Sequence, residues 1–228
     1  MMALTEPLAQ LFTRSRLMIL DFADIPQDAP DEENIQHFFE ACAQRGQNPR
    51  LPGNRQQFNN RMLEATGARY LVSRYGEDRA AMLTGSQIAK EGRTLHMGID
   101  IFSRGLEPVF APCDGEIVRT GFEDEAHSYG HYLILKPAAD IGAYIFMGHL
   151  SKGLPALGAV RAGQRIATLG DYHGNENGGW SRHLHLQFIC ELPPEGQTPI
   201  GYSSRAAFAE NSHKFPNPFG FLPEWRPI

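Results

Sequence analysis

The chain has 228 residues, 42% of them hydrophobic and 21% charged, a balance close to the globular average that excludes a disordered tract, a collagen and a coiled coil. Twenty-one basic against 26 acidic side chains leave a net charge of −5, so there is no electrostatic footprint for nucleic acid or an anionic membrane surface. The 23 glycines and 16 prolines favour a turn-rich, mainly β protein over a helical bundle. Three widely spaced cysteines (Cys42, Cys113, Cys190) form no CxxC pair. They read as small apolar residues, not as a disulfide scaffold or a thiolate metal site.

At the N-terminus, Glu6 precedes any basic residue and Asp21 interrupts the apolar run Leu17–Leu20, which does not read as a secretory signal. No stretch approaches the roughly 18 apolar residues of a membrane span, and the expectation is a soluble cytoplasmic protein. Acids followed by apolar side chains at helical spacing predict a helix over Asp31–Cys42. After a break at Asn48–Asn54, a second helix is predicted over Gln56–Ala65, with Phe58, Met62 and Leu63 on one side and Gly67 as its stop. Ala68–Arg74 reads as a short strand or a turn. Residues 1–84 are therefore expected to form a partly helical accessory segment. From Leu95 onward, short apolar runs are cut by glycine and proline: residues 96–102, 115–119, 132–135, 144–147, 164–169 and 183–189. Strands of that length with turns between them predict a compact antiparallel β-barrel or sandwich over residues 85–191. A Pro-rich tail, 192–228, is expected to wrap the surface.

Nine histidines are present, and seven of them (His96, His127, His131, His149, His173, His183, His185) fall inside the β-rich segment. In His96-Met97-Gly98-Ile99-Asp100 the β-branched residues favour a strand, on which a spacing of four puts His96, Gly98 and Asp100 on one face. His183-Leu184-His185-Leu186-Gln187-Phe188 alternates strictly, so His183, His185 and Gln187 share one face and Leu184, Leu186 and Phe188 the core face. His149 follows Gly148 at the end of a strand, where the backbone approaches a neighbour closely. A catalytic zinc site takes three protein ligands and a proton-transfer group. His96, Asp100 and one of His183 or His185 supply the ligands, and the remaining histidine acts with His149. Histidines merely facing solvent would explain either pair singly, but not both together.

These motifs occur in the order HxxxD, GH, a glycine-rich run and HLH, and in that order they resemble the lysostaphin-type (M23) zinc metallopeptidases, which cut peptidoglycan cross-links and bridges. Pro108–Val118, Tyr129-Gly130-His131-Tyr132, Met147–Ser151 and Val160–Gln164 are similar to other stretches of the family pattern, and the resemblance spans about residues 85–191. It implies one zinc ion per chain held by His96, Asp100 and His185. It also implies that His183 is the general base and that His149 stabilises charge in the tetrahedral intermediate. Trp180, Arg182 and His173 are the expected substrate contacts, whereas His131 is expected to be structural and His127 to lie at the surface. The expected activity is zinc-dependent hydrolysis of peptide bonds in peptidoglycan-type peptides, which would place the enzyme in the cell envelope. The alternatives are a zinc hydrolase of an intracellular peptide or amide, and a non-catalytic M23-like binding module. The accessory segment either covers the cleft or packs against the domain as support.

Overall fold

The computed structural model describes residues 17–20, 44–48, 51–66 and 70–221. The helix expected over Asp31–Cys42, the stop at Gly67 and the end of the tail at 222–228 lie outside these residues. Strand β1 (Leu17–Leu20) is followed by helix α1 (Pro52–Thr66). This helix begins four residues before the predicted Gln56, because Pro52 at its first position has a fixed φ suited to helix and needs no N–H partner there. Phe58, Met62 and Leu63 are buried on it, as their spacing required. The ambiguous stretch after α1 is a strand, β2 (Tyr70–Ser73). Two single-turn helices follow, α2 (Ala80–Leu83) and α3 (Gln87–Lys90).

The run around His96 is two strands, not one. β3 (Arg93–His96) and β4 (Ile99–Phe102) are separated by a bend at Met97–Gly98. The remaining strands are β5 (Pro108–Phe110), β6 (Gly115–Phe122), β7 (His131–Pro137), β8 (Tyr144–Leu150), β9 (Gly158–Val160), β10 (Arg165–Thr168), β11 (His183–Ile189) and β12 (Tyr202–Ser204). Within the tail, Phe208–Lys214 forms helix α4, a helix the proline-rich composition had hidden.

Eight strands form one sheet in the order β1-β2-β4-β11-β8-β7-β6-β9. All neighbours are antiparallel except β1 and β2, which are parallel. The architecture is thus mainly antiparallel β, as expected, but the sheet is open and not a closed barrel. Its ends, β1 and β9, are strands of four and three residues that lie at opposite edges and do not pair with each other. Two small antiparallel pairs, β5 with β10 and β3 with β12, accompany it.

The two faces of the sheet differ. Leu184, Leu186 and Phe188 of β11 enter the main core with Ile145 and Met147 of β8 and with Val109 and Ile166 of the β5–β10 pair. The opposite face carries a smaller cluster of Tyr132, Ile134, Phe146 and Ile189. Residues of β11 with odd numbers therefore share a face with Phe146, and it is on this face that the histidines gather.

Candidate metal centre and active site

Strand register assembles the centre. β11 lies between β4 and β8, with His185 opposite Asp100 on one side and opposite Gly148 on the other. His96 arrives from the end of β3, just before the bend. His96 Nε2 lies 3.1 Å from His185 Nδ1. His185 Nδ1 lies 3.0 Å from Asp100 Oδ1, which is 3.5 Å from His96 Nε2. All three residues are buried, and their ligand atoms fall within 4.8 Å of one another. The bend serves this convergence. A Cβ at position 98 would stand 2.6 Å from His185 Cε1 and 2.8 Å from the Leu186 carbonyl oxygen, so only glycine leaves the imidazole its place.

The donor set fits a zinc ion. Gln187 Nε2 donates to the Ile200 carbonyl at 3.1 Å, which turns its Oε1 toward His185 Nε2 at 3.0 Å. A carboxamide oxygen only accepts, so His185 carries a proton on Nε2 and, as neutral imidazole, a bare lone pair on Nδ1. That lone pair faces the Asp100 carboxylate oxygen, a meeting of two electron-rich atoms that a cation beside them relieves. Two ligands about 2.0–2.1 Å from a tetrahedral zinc lie roughly 3.3 Å apart, which matches the separations here. Two imidazoles and a carboxylate also suit zinc better than magnesium or calcium, which take oxygen ligands.

The second oxygen of Asp100 is held from behind. Arg79 Nη1 donates to Asp100 Oδ2 at 2.5 Å, its Nε is bonded to Glu77, and Tyr202 Oη lies within 3.3 Å of Nη1. Arg79, Glu77 and Asp100 are all at least 95% buried. Burial alone would raise the Asp100 carboxyl, but the Arg79 charge and the surrounding histidines hold it well below the usual carboxylate range. Asp100 therefore stays ionised with Oδ1 directed at the histidines.

His149 and His183 flank the triad, with ring centroids 4.3 Å apart. His183 Nε2 lies 3.6 Å from Asp100 Oδ1. Each is locked by its other nitrogen: His183 Nδ1 donates to the Ser181 carbonyl at 2.6 Å, and His149 Nδ1 to the Asn177 carbonyl at 2.9 Å. Nε2 of both rings is thereby left for chemistry. Burial lowers the pKa of each, that of His149 to well below the usual imidazole range. His149 reaches this face through a β-bulge. Strand β7 advances two residues, from His131 to Leu133, while β8 advances three, from Leu150 to Met147. Met147 and Leu150 stay in the main core, and the extra residue leaves His149 with φ of +62°, a left-handed conformation rare outside glycine. Its backbone is pinned on both sides, by the Tyr129 carbonyl and the Gly170 amide at 2.8 Å each. Gly148 is needed here as well, since a Cβ there would meet Tyr129 Cδ1 at 2.8 Å.

Two cavities meet at this centre. The larger, about 630 Å³, is lined by His96, Asp100, His149, His183 and His185, and also by Tyr129, Glu125 and Ile200. The second, about 440 Å³, reaches Asp100 and His183 from the side of α1 and α2. Trp180 stands in the walls of both, its indole N–H donating to the Ser128 carbonyl at 3.1 Å. His127 is exposed at their shared mouth, edge-on to Trp180 at 5.1 Å. Arg182 and His173 line neither cavity. The Arg182 guanidinium is engaged by Asp171 at 3.0 Å and by the Arg104 carbonyl at 3.1 Å, while His173 is exposed and packs on Tyr172. His131 stacks on Phe122 at 4.3 Å.

Several contributors escaped the sequence reading. Arg79 and Glu77 sit in a charged turn with no motif around them. Asn177, whose side chain caps the amides of Gly179 and Trp180, was one polar residue in a glycine-rich run. Gln187 was signalled by its place on the His183–His185 face. α1 also reaches the site: Gln56 donates to the Ser103 carbonyl at 2.8 Å and accepts from the Arg182 amide at 2.7 Å, directly before His183.

Residues 94–194 match the model of peptidase family M23. The matched M23 segment contains the triad and both flanking histidines. Among solved structures, the catalytic domain of the antimicrobial peptidase lysostaphin from Staphylococcus simulans aligns at 24% identity over 51% of this chain and 80% of that one, with a TM-score of 0.37. Whole lysostaphin aligns at 25% identity over 57% of this chain and 44% of its own length, with a TM-score of 0.39. The catalytic domain of a prophage-encoded M23 protein from Enterococcus faecalis aligns at 23% identity over 50% of this chain and 78% of that one, with a TM-score of 0.36. No curated protein matches the chain. Among the described residues, no helix is long and apolar enough to cross a membrane.

Proposed function

We propose that this chain is a zinc-dependent endopeptidase that hydrolyses peptidoglycan-type peptides, with His96, Asp100 and His185 as metal ligands and His183 and His149 as proton-transfer groups. The observation that carries this reading is the convergence of three buried ligand atoms 3.0–3.5 Å from one another, beside two histidines that are each held through Nδ1 and present Nε2. Zinc bound there would polarise the scissile carbonyl and acidify a water.

Hydrolysis forms a bond from water oxygen to the carbonyl carbon, breaks the C–N bond and moves a proton to the departing nitrogen. His183, fixed by Ser181, accepts the proton of the attacking water at Nε2 and passes it to the departing nitrogen. His149, fixed by Asn177 with its proton on Nδ1, takes up a second proton from solvent at Nε2 as negative charge gathers on the carbonyl oxygen, and the imidazolium so formed offsets that charge. Arg79 and Glu77 keep Asp100 oriented throughout, and Trp180 bounds the site and limits the entry of water. The larger cavity, about 630 Å³, falls within the range of clefts that take a ligand of a few residues.

The test is mass spectrometry of fragments released from purified peptidoglycan by the zinc-loaded protein. Release of defined peptides that stops on chelation and resumes with zinc is the expected result. Intact peptidoglycan after treatment with folded, zinc-bound protein would overturn the substrate assignment. Cell fractionation would then place the chain in the envelope or the cytoplasm.

A further inference from the structure

Strand β3, which carries His96, lies between two segments from outside the M23 match. On one side the Gly76 amide donates to the His96 carbonyl at 2.8 Å and the His96 amide to the Glu77 carbonyl at 3.1 Å. The Arg79 amide continues this pairing with the Thr94 carbonyl at 2.9 Å. On the other side β12 places Tyr202 opposite His96. A further upstream residue, Ser73, accepts the Asp100 amide hydrogen on its hydroxyl at 2.7 Å. Segments on both sides of the match thus converge on one carboxylate.

Their side chains divide the two oxygens of Asp100. Oδ1 faces the imidazoles of His96, His183 and His185, whereas Oδ2 takes the Arg79 guanidinium. The guanidinium is set in place by Glu77, which accepts from Nε, and by the Tyr202 hydroxyl, which accepts from Nη1 at 3.3 Å. Glu77 is itself held by the Arg74 amide at 3.1 Å. It also balances the charge. An arginine beside a ligand carboxylate would by itself repel a cation, but Arg79 with Glu77 and Asp100 sums to −1, the charge of Asp100 alone.

Resting on the zinc reading above, we infer that Arg79 is a positioning residue that keeps Asp100 a one-oxygen ligand. A carboxylate with both oxygens free can offer either one or both to a metal ion. Two imidazoles and a single oxygen fill three positions of a tetrahedral zinc and leave the fourth for water, as a catalytic site requires. With Oδ2 turned to the ion as well, that position would be taken. A guanidinium–carboxylate bond is among the strong hydrogen bonds, and this one is shielded from solvent, so Oδ2 stays engaged. The catalytic unit accordingly includes Glu77 and Arg79 upstream of the M23 match and Tyr202 downstream of it.

The experiment uses the full chain with cobalt(II) in place of zinc, because cobalt absorbs strongly in the visible when four-coordinate and weakly when its coordination rises. Glu77→Gln combined with Arg79→Met removes both charges, so that neither is left buried alone. Arg79→Lys keeps the charge but loses the fork that serves Glu77 and Asp100 together. The parent should give the four-coordinate spectrum. The double variant should still take up one metal ion per chain, with weakened visible absorption. Its zinc form should lose about 10–100-fold in kcat at an unchanged KM. Arg79→Lys should move both readings in the same direction. Circular dichroism of the metal-free proteins shows which are folded, and Arg79→Lys carries the test if the double variant is not.

A parent spectrum of higher coordination, a parent-like spectrum in the folded variants, or a folded variant that takes up no metal overturns the inference and leaves the peptidase. The expected spectra from a protein that releases nothing from peptidoglycan uphold the inference and overturn the substrate assignment. A folded parent that takes up no metal overturns both.

Discussion

At the scale of single residues, the centre depends on atoms that fix which nitrogen of each histidine faces inward. Gln187 sets the His185 tautomer through its own bond to Ile200, so Gln187→Leu should weaken zinc binding by about 10–100-fold while leaving the fold intact, as read by competition with a colorimetric chelator. Retained affinity would mean that packing alone orients the ring. His149 touches no ligand atom of the triad, so His149→Ala should keep its zinc and lose turnover by about 10²-fold or more. Single-turnover kinetics on zinc-quantified protein separates those two effects, and undiminished activity would remove His149 from the mechanism. The alternation His183-Leu184-His185-Leu186-Gln187 was legible because a strand side chain has only two directions to take. Arg79 was not legible, because a buried arginine behind a carboxylate leaves no spacing or composition trace.

At the scale of elements, two departures from regular geometry build the site. The bend at Met97–Gly98 splits what the residue pattern presents as one strand. It lets β3 pair with β12 while β4 joins the main sheet. Gly98→Ala puts a methyl against His185 and the Leu186 carbonyl, and backbone cannot yield cheaply. A loss of about 1–3 kcal/mol in urea unfolding, with reduced zinc content, is the expected outcome. Unchanged stability would show that β3 shifts freely. The bulge in β8 likewise turns His149 onto the site face, where strict alternation would have sent it into the core. α1 was visible from its apolar spacing, but its role in bracing the approach to His183 rests on Gln56 and Asn59, polar residues whose partners lie more than forty positions away.

At the scale of the whole molecule, segments on both sides of the M23 match are integrated with it. β2 extends the sheet beside β4, and β12 pairs with β3. The surface also carries a pH-dependent contribution. Partial burial raises the Asp171 pKa, but the Arg182 hydrogen bond and charge, with backbone donors, outweigh this and lower it overall. A folded value below the unfolded one, about 3.9, stabilises the protein above that pH, and the contribution disappears as pH falls through the folded value. The melting temperature of the parent should therefore exceed that of Asp171→Asn at pH 7, and the difference should shrink as the pH falls below about 3.9. A gap that persists into acid would assign the effect to packing. The same ion pair draws Arg182 away from the cavities, although its place beside His183 had marked it as a substrate contact.

Composition and local pattern determined the mainly β character, the buried faces of α1 and β11, and the set of residues from which the centre is made. Each of these follows from periodicity or from donor chemistry within a few neighbouring positions. Tertiary structure decided that the sheet stays open, that His185 stands opposite both Asp100 and Gly148, that Arg79 backs the carboxylate, and that α1 and α2 wall a second cavity. These depend on strand register and on contacts between distant segments, and register is set by how whole elements pack, which no short stretch of sequence encodes.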